Sequence, residues 1–144
     1  MISVLLPIHL IFVGIWLGCV ITEALFERAL LGKGRAQELI LVELHKKVDL
    51  VVEIPAFVAV VVTGLLLYQA SSPSALIYIK IILGVVAVLT NIYCVVLVFQ
   101  RASAANRGDW QKFESLDSKQ HQYGTVVLVS MLLALVIGVY QFGS

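Results

Sequence analysis

Residues 76–99, LIYIKIILGVVAVLTNIYCVVLVF, decide the fold. Lys80 is the single charged residue in this segment, and valine, isoleucine and leucine make up most of it. An α-helix needs about 20 consecutive apolar residues to cross about 30 Å of hydrocarbon. The segment therefore predicts a transmembrane helix.

Three further apolar segments occur at about residues 2–22, 50–70 and 124–142. The composition agrees, because 60% of the 144 residues are hydrophobic and 13% are charged, against about 45–50% and about 25% in soluble domains. We predict an all-α membrane protein with a single integral membrane domain, residues 1–144. Its four transmembrane helices form an antiparallel (up-down-up-down) bundle.

The distribution of basic residues predicts an orientation. Residues 69–74 form a short turn, in which Pro73 suits the start of the third helix, whereas the other two connections, 23–49 and 100–123, are long and polar. The long connections hold nine of the ten lysines and arginines: Arg28, Lys33, Arg35, Lys46, Lys47, Arg101, Arg107, Lys112 and Lys119. The positive-inside rule places both connections in the cytoplasm and both termini outside the plasma (inner) membrane.

The long connections are themselves predicted to be largely helical. Gly32-Lys33-Gly34 is typical of a helix break, and Asp109 is typical of a helix N-cap. We therefore expect the second and fourth helices to extend into the cytoplasm.

Several functional classes find no support. The chain has no basic run with interleaved aromatic residues, which argues against a nucleic-acid partner. Cys19 and Cys94 lie in apolar runs without a C-x-x-C spacing, so we interpret them as small buried residues. No serine or cysteine nucleophile and no glycine-rich phosphate loop is recognisable.

The N-terminal segment has two features of its own. It lacks the basic start and the small-residue cleavage site of a signal peptide, so we expect a retained helix. Gly14 and Gly18 form a small-xxx-small pair, which we interpret as packing inside the bundle, with another helix or subunit as the alternative.

The strongest functional signal is the crowding of ionisable residues where the second apolar run begins. His45 and Asp49 are one helical turn apart, and Glu53 follows one turn further into the apolar segment. A charged group at such a depth costs about 2.5–3.5 kcal/mol on insertion scales. Glu53 therefore needs a partner or a proton.

Two other helices carry similar residues at the same end. Glu23 and Glu27 close the first apolar segment, while Asp117 and His121 precede the fourth. Three helices can thus direct carboxylates and imidazoles to one level. Nitrogen and oxygen ligands of this kind suit a transition metal such as Fe, Mn, Zn or Cu, and the candidate ligands are Glu23, Glu27, His45, Asp49, Glu53, Asp117 and His121.

Haem is the alternative cofactor, with His45 and His121 as axial ligands across the bundle. His9 lies 14 residues before Glu23, about 21 Å along a helix, so it cannot join that site. If His9 is functional, it serves a second site near the opposite end, together with Lys80 and Tyr78.

The spacing of several residues resembles a known family. These residues are His9, Trp16, Gly18, Pro55, Gly64, Ile79-Lys80, Asn91-Ile92-Tyr93 and Trp110. The pattern resembles the HemJ-type protoporphyrinogen oxidases and the CopD-like copper-resistance domains, which are small four-helix membrane proteins. The resemblance implies a haem b-associated inner-membrane protein, in which His9 and Lys80 match the family's prominent histidine and lysine. Residues 22–28 and Tyr78 differ from the HemJ pattern.

Three functional hypotheses follow. The leading one is a redox protein, possible oxidoreductase chemistry included, that holds haem b or a transition metal between its helices. The second is metal-ion or proton handling at the His/carboxylate site without redox chemistry. The third is a non-catalytic subunit that forms a homo-oligomer or joins a larger membrane complex.

Overall fold

The computed structural model describes residues 2–143, and these form helices joined by short turns. The helices are α1 (Ile2–Leu30), α2 (Arg35–Val48), α3 (Ile54–Gln69), α4 (Ala75–Asn106) and α5 (Trp110–Gly143). A π-helical turn, Asp49–Glu53, joins α2 to α3, so that residues 35–69 make one continuous rod. The predicted all-α, four-helix bundle is confirmed.

All four rods are long and apolar enough to cross a membrane. Their outward surfaces are apolar as well: Ile82 and Leu89 are each 62% exposed, and Val136 is 65% exposed. Soluble proteins seldom expose contiguous apolar surface on this scale, whereas a bilayer covers it. These are the helices of an integral membrane protein.

The long connections of the sequence prediction are almost wholly helical. The turn between α1 and α2 spans only residues 31–34 and depends on positive φ angles at Gly32 and Gly34, which glycine adopts without steric cost. At the other connection, Gly108 has a φ of 75° and Asp109 Oδ1 accepts a hydrogen bond from the Lys112 amide. Both the glycine break and the aspartate N-cap are confirmed.

Two local predictions need correction. Ser74, not Pro73, directly caps α4, because its hydroxyl accepts a hydrogen bond from the Ile77 amide. Gly14 and Gly18 are exposed, and a Cβ built on either meets no described atom within 4 Å. The glycine pair therefore faces away from the bundle and does not pack inside it.

The interior is divided along the bundle axis. Trp16, Phe57 and Met131 belong to one apolar core at mid-height, whereas Phe113 and Leu97 belong to a second core near the α1–α2 and α4–α5 turns. α4 and α5 pack closely along their length, but α1 and α5 approach each other only sparsely. A cavity lies between the two cores, beside the seam that α1 and α5 leave open.

Candidate functional site

A cluster of buried ionisable side chains occupies the level of the π-helical turn. We call it the buried cluster, and every rod contributes to it: Glu23 and Glu27 from α1, His45 from α2, Asp49 and Glu53 from the π-helical turn, Arg101 from α4 and Asp117 from α5. Asp49 is 1% exposed and Glu53 is 3% exposed. The predicted meeting of carboxylates and imidazole on one level is thus present.

The charges of the buried cluster do not balance. It contains five carboxylic acids, against one guanidinium and one imidazole. An ionised carboxylate without a partner is costly to bury, and unlike charges repay that cost only in good hydrogen-bonding geometry. The excess of acids therefore calls for bound protons or for a further cation.

His45 is held between two carboxylates. Its Nε2 lies 3.1 Å from Glu23 Oε2, and its Nδ1 lies 3.2 Å from Glu27 Oε1. Gln120 places its amide nitrogen 3.3 Å from Nε2. The imidazole thus has an acidic neighbour at each nitrogen, which fixes the orientation of the ring.

Arg101 connects α1, α4 and α5. The guanidinium is completely buried and donates hydrogen bonds to Glu27 at 2.6 Å and to Asp117 at 2.5 Å. It also stacks near the Phe113 ring, 5.7 Å from its centroid. Arg101 therefore neutralises part of the negative charge and aligns Glu27 beneath His45.

The acids nearest the centre lack hydrogen-bond donors. Both carboxylate oxygens of Asp49 and Oε1 of Glu23 are buried and accept no hydrogen bond from an N–H or hydroxyl group among the described residues. Asp49 instead lies at hydrogen-bonding distance from the carboxyl groups of Glu23 and Glu53, so these acids must share protons or a cation. Buried polar atoms are normally paired. These orphaned oxygens mark the place where a ligand is expected.

The backbone explains how Asp49 and Glu53 both reach the centre. Pro55 has no amide hydrogen, and its ring would clash with the carbonyl four residues earlier. The helix widens ahead of it, and the Ile54 amide bonds to the Asp49 carbonyl five residues back. Single π-helical turns are frequent at functional sites, and this one directs two acids toward α1.

The buried cluster opens into a cavity of about 650 Å³. Its walls combine acidic residues with the apolar side chains of Val20, Val98 and Val127. Volumes of roughly 300–1,000 Å³ are typical of ligand sites. The orphaned oxygens therefore adjoin space for a ligand.

The remaining predicted residues lie at the edge of this site or outside it. His121 lines the cavity, but its side chain is 51% exposed, with Nδ1 3.5 Å from Asp117 Oδ2. His9 and Lys80 line a separate cavity of about 60 Å³. There His9 Nδ1 lies 2.8 Å from Thr63 Oγ1, and Lys80 lies against Gly138.

Within residues 2–143, two groups of side chains have the geometry to hold a metal ion. Glu23, His45 and Asp49 each offer one ligand atom, and the three atoms lie within 4.8 Å of one another. We call this group the inner site. Glu27, Asp117 and His121 meet the same criterion closer to the surface, and we call them the mouth site.

Sequence reasoning missed Arg101 and Gln120. Arg101 follows Asn91, Cys94 and Val98 at helical spacing, and all four line one inward stripe of α4. This helical periodicity indicates that Arg101 faces inward. The prediction overlooked it because the predicted third span ends at residue 99. Gln120 precedes the half-exposed His121 and gives no comparable signal.

No protein-family model, curated protein or solved structure matches the chain. The class of protein follows from its own features: an integral membrane protein with four helices and a buried His/carboxylate cluster.

Proposed function

We propose that this membrane protein binds a divalent transition-metal ion between its helices, with Glu23, His45 and Asp49 as ligands. The observation that carries the proposal is the convergence of three ligand atoms within 4.8 Å of one another. This convergence occurs where Asp49 has two buried oxygens whose described hydrogen-bonding neighbours are other carboxyl groups, those of Glu23 and Glu53.

The separation of the ligand atoms suits a common ion. Two ligands that are each about 2.1 Å from one metal, at angles between octahedral and tetrahedral, lie about 3.0–3.4 Å apart. The distance from His45 Nε2 to Glu23 Oε2 is 3.1 Å. This pair can bind one ion with little rearrangement, and Asp49 needs only to turn toward it.

The surroundings support metal binding by His45. Metal-binding histidines usually donate their other ring hydrogen to a carboxylate or a carbonyl. In this chain Nδ1 faces Glu27, which Arg101 holds in place. Nδ1 also lies 3.1 Å from Arg101 Nη2, from which a protonated Nδ1 cannot accept a hydrogen bond. Metal binding therefore selects the tautomer whose Nδ1 hydrogen is donated to Glu27, which leaves the lone pair of Nε2 for the ion, on the side of Glu23.

The ligand set limits the kind of ion. Carboxylates favour hard ions such as Mn²⁺, whereas imidazole favours Zn²⁺ and Fe²⁺. One imidazole with two carboxylates is therefore expected to bind borderline divalent ions. With His45 neutral, the two carboxylates of the inner site match the two positive charges of the ion.

Haem b is the competing cofactor. Axial ligation by His45 would break one of its carboxylate contacts. Glu23, Asp49 and Glu53 line the same cavity, and a haem there would leave their excess negative charge without a divalent cation. An absorption spectrum of the purified protein together with metal analysis separates the two cases, because a Soret band supports haem, and zinc without a haem band supports the inner site.

We also propose that the buried cluster lies at the cytoplasmic side of the plasma (inner) membrane. Nine of the ten lysines and arginines flank this end of the bundle, as the positive-inside rule requires. An ion at the inner site would then be exchanged with the cytoplasm.

The direct test is metal binding by the detergent-purified protein. Asp49→Asn removes a charge and a ligand with little change of shape, so we expect the affinity for Zn²⁺ to fall by on the order of a hundredfold or more, beyond the 10–100-fold typical of outer-shell changes. Glu43→Gln is the matched control, because Glu43 is an exposed acid on α2. Equal affinities in wild type, Asp49→Asn and Glu43→Gln would refute the site.

A further inference from the structure

The geometry points to a second, weaker metal site at the cavity mouth, formed by Glu27, Asp117 and His121, from which the inner site is loaded. This inference rests on the proposed function, since it concerns the same class of divalent ion. It adds a binding site and a route of entry.

The mouth site has ligand atoms available. One oxygen of Glu27 and one oxygen of Asp117 accept hydrogen bonds from Arg101. The other oxygen of Glu27, Oε2, is buried and has no partner among the described residues, although the whole residue is only 7% exposed. Together with His121, these carboxylates place three ligand atoms within 4.8 Å of one another.

Exposure increases from the inner site to the mouth site. The side chains of His45 and Glu23 are 5% and 10% exposed. At the mouth site the Glu27 side chain is equally buried, at 8%, but that of Asp117 is 14% exposed and that of His121 is 51% exposed. Residues of both sites line the same cavity. An ion that enters from the aqueous side therefore meets His121 before it reaches His45.

The net negative charge decreases from the inner site to the mouth site. At the mouth site, the Arg101 guanidinium cancels one of two carboxylate charges. At the inner site, Arg101 Nη2 approaches His45 Nδ1 to 3.1 Å, but the carboxylates of Glu23 and Asp49 form no ion pair with a guanidinium of the described residues. Glu53 lines the cavity beside them. Because the inner site carries the larger net negative charge, it binds a cation more tightly than the mouth site does.

The two sites are also in contact. Glu27 is a ligand of the mouth site and lies 3.2 Å from His45, a ligand of the inner site. An ion that leaves Glu27 is therefore already beside the inner site. A weak, accessible site next to a tight, buried one is an arrangement suited to stepwise loading.

The test uses Zn²⁺ titration and rapid-mixing kinetics on the full-length protein in detergent. We expect two classes of binding in the wild type, and His121→Ala should remove the weaker class. The same variant should slow loading of the tight site about tenfold while leaving its final affinity unchanged, in line with the 10–100-fold effects of supporting ligands. Gln122→Ala is the matched control, because it changes an exposed neighbour on the same helix.

Asp49→Asn separates this inference from the proposed function. It should remove the tight class and retain the weak class, and adding His121→Ala should then abolish the weak class as well. Weak binding and loading rates that are unchanged by His121→Ala would overturn the mouth site, with the inner site intact. Tight binding that survives Asp49→Asn would instead overturn the inner site, and with it the loading route.

Discussion

The two buried histidines of the bundle lie in contrasting surroundings. His9 contacts a neutral hydroxyl, that of Thr63, which itself donates to the Ala59 carbonyl at 2.6 Å. The described residues that line its cavity include Lys80 but no acid. His45 lies between two carboxylates, with a third, Asp49, close enough to share an ion.

Burial of an imidazole therefore does not by itself indicate a metal site. His9 has a neutral partner and a cationic neighbour, so additional positive charge is unfavourable there. His45 lies among more acids than its own charge and that of Arg101 can balance. An excess of buried negative charge, rather than the histidine, distinguishes the site suited to a cation.

The largest expected effect concerns Arg101, whose guanidinium neutralises part of the negative charge around His45 when no metal is bound. Arg101→Met leaves Glu27 and Asp117 without their buried cation, and removing one partner of a buried ion pair costs about 3–5 kcal/mol. We expect a marked loss of thermal stability in detergent. Arg107→Met is the control, since Arg107 is exposed at the end of α4.

The loss of thermal stability in Arg101→Met should be reversed when the carboxylates that the guanidinium contacts are neutralised. Glu27→Gln and Asp117→Asn, introduced together with Arg101→Met, should recover much of the stability. If Arg101→Met melts like the wild type, the guanidinium is not the buried counter-ion that the structure shows.

A smaller effect distinguishes the role of His45 in metal binding from that of His9. His45→Ala should lower the Zn²⁺ affinity by on the order of a hundredfold or more, at or beyond the upper end of the 10–100-fold range of outer-shell changes, because it removes a ligand. His9→Ala should leave the affinity unchanged. Calorimetric titration of both variants is the measurement, and equal losses in the two would contradict the contrast.

The smallest effect concerns the His9 region. Thr63→Val keeps the shape of the side chain but removes the hydroxyl that His9 contacts. Polar contacts between membrane helices contribute about 0.6 kcal/mol on average, so the stability should fall by about that amount. Metal binding should not change, and a loss of metal affinity would show that the two regions are coupled.

The sequence predicted the bundle and all five acids of the buried cluster. Segment length and hydropathy located the four spans, because a bilayer leaves few alternatives for apolar runs of that length. The spacing of His45, Asp49 and Glu53 placed them on one face, and the structure buries all three. Glu23 and Glu27 were identified by their position at the end of the first span, on the same level as His45 and Asp49.

Other features depend on details that helical spacing does not resolve. The π-helical turn arises from Pro55, whose effect on the preceding turn is local. On α5, steps of about 100° per residue put Glu114 and His121 within about 20° of each other, with Asp117 turned further inward. The side chains of Glu114 and His121 are accordingly 65% and 51% exposed, against 14% for Asp117.

The most direct test of the central claim is X-ray absorption spectroscopy of zinc-loaded protein in a His121→Ala background, in which the mouth site contributes no imidazole. The account predicts one imidazole nitrogen and carboxylate oxygens at about 2.0–2.2 Å from the metal, with the imidazole signal lost in His45→Ala. Sulfur scattering at about 2.3 Å would instead assign the metal to Cys19 or Cys94. An unchanged imidazole signal in His45→Ala would likewise contradict the inner site.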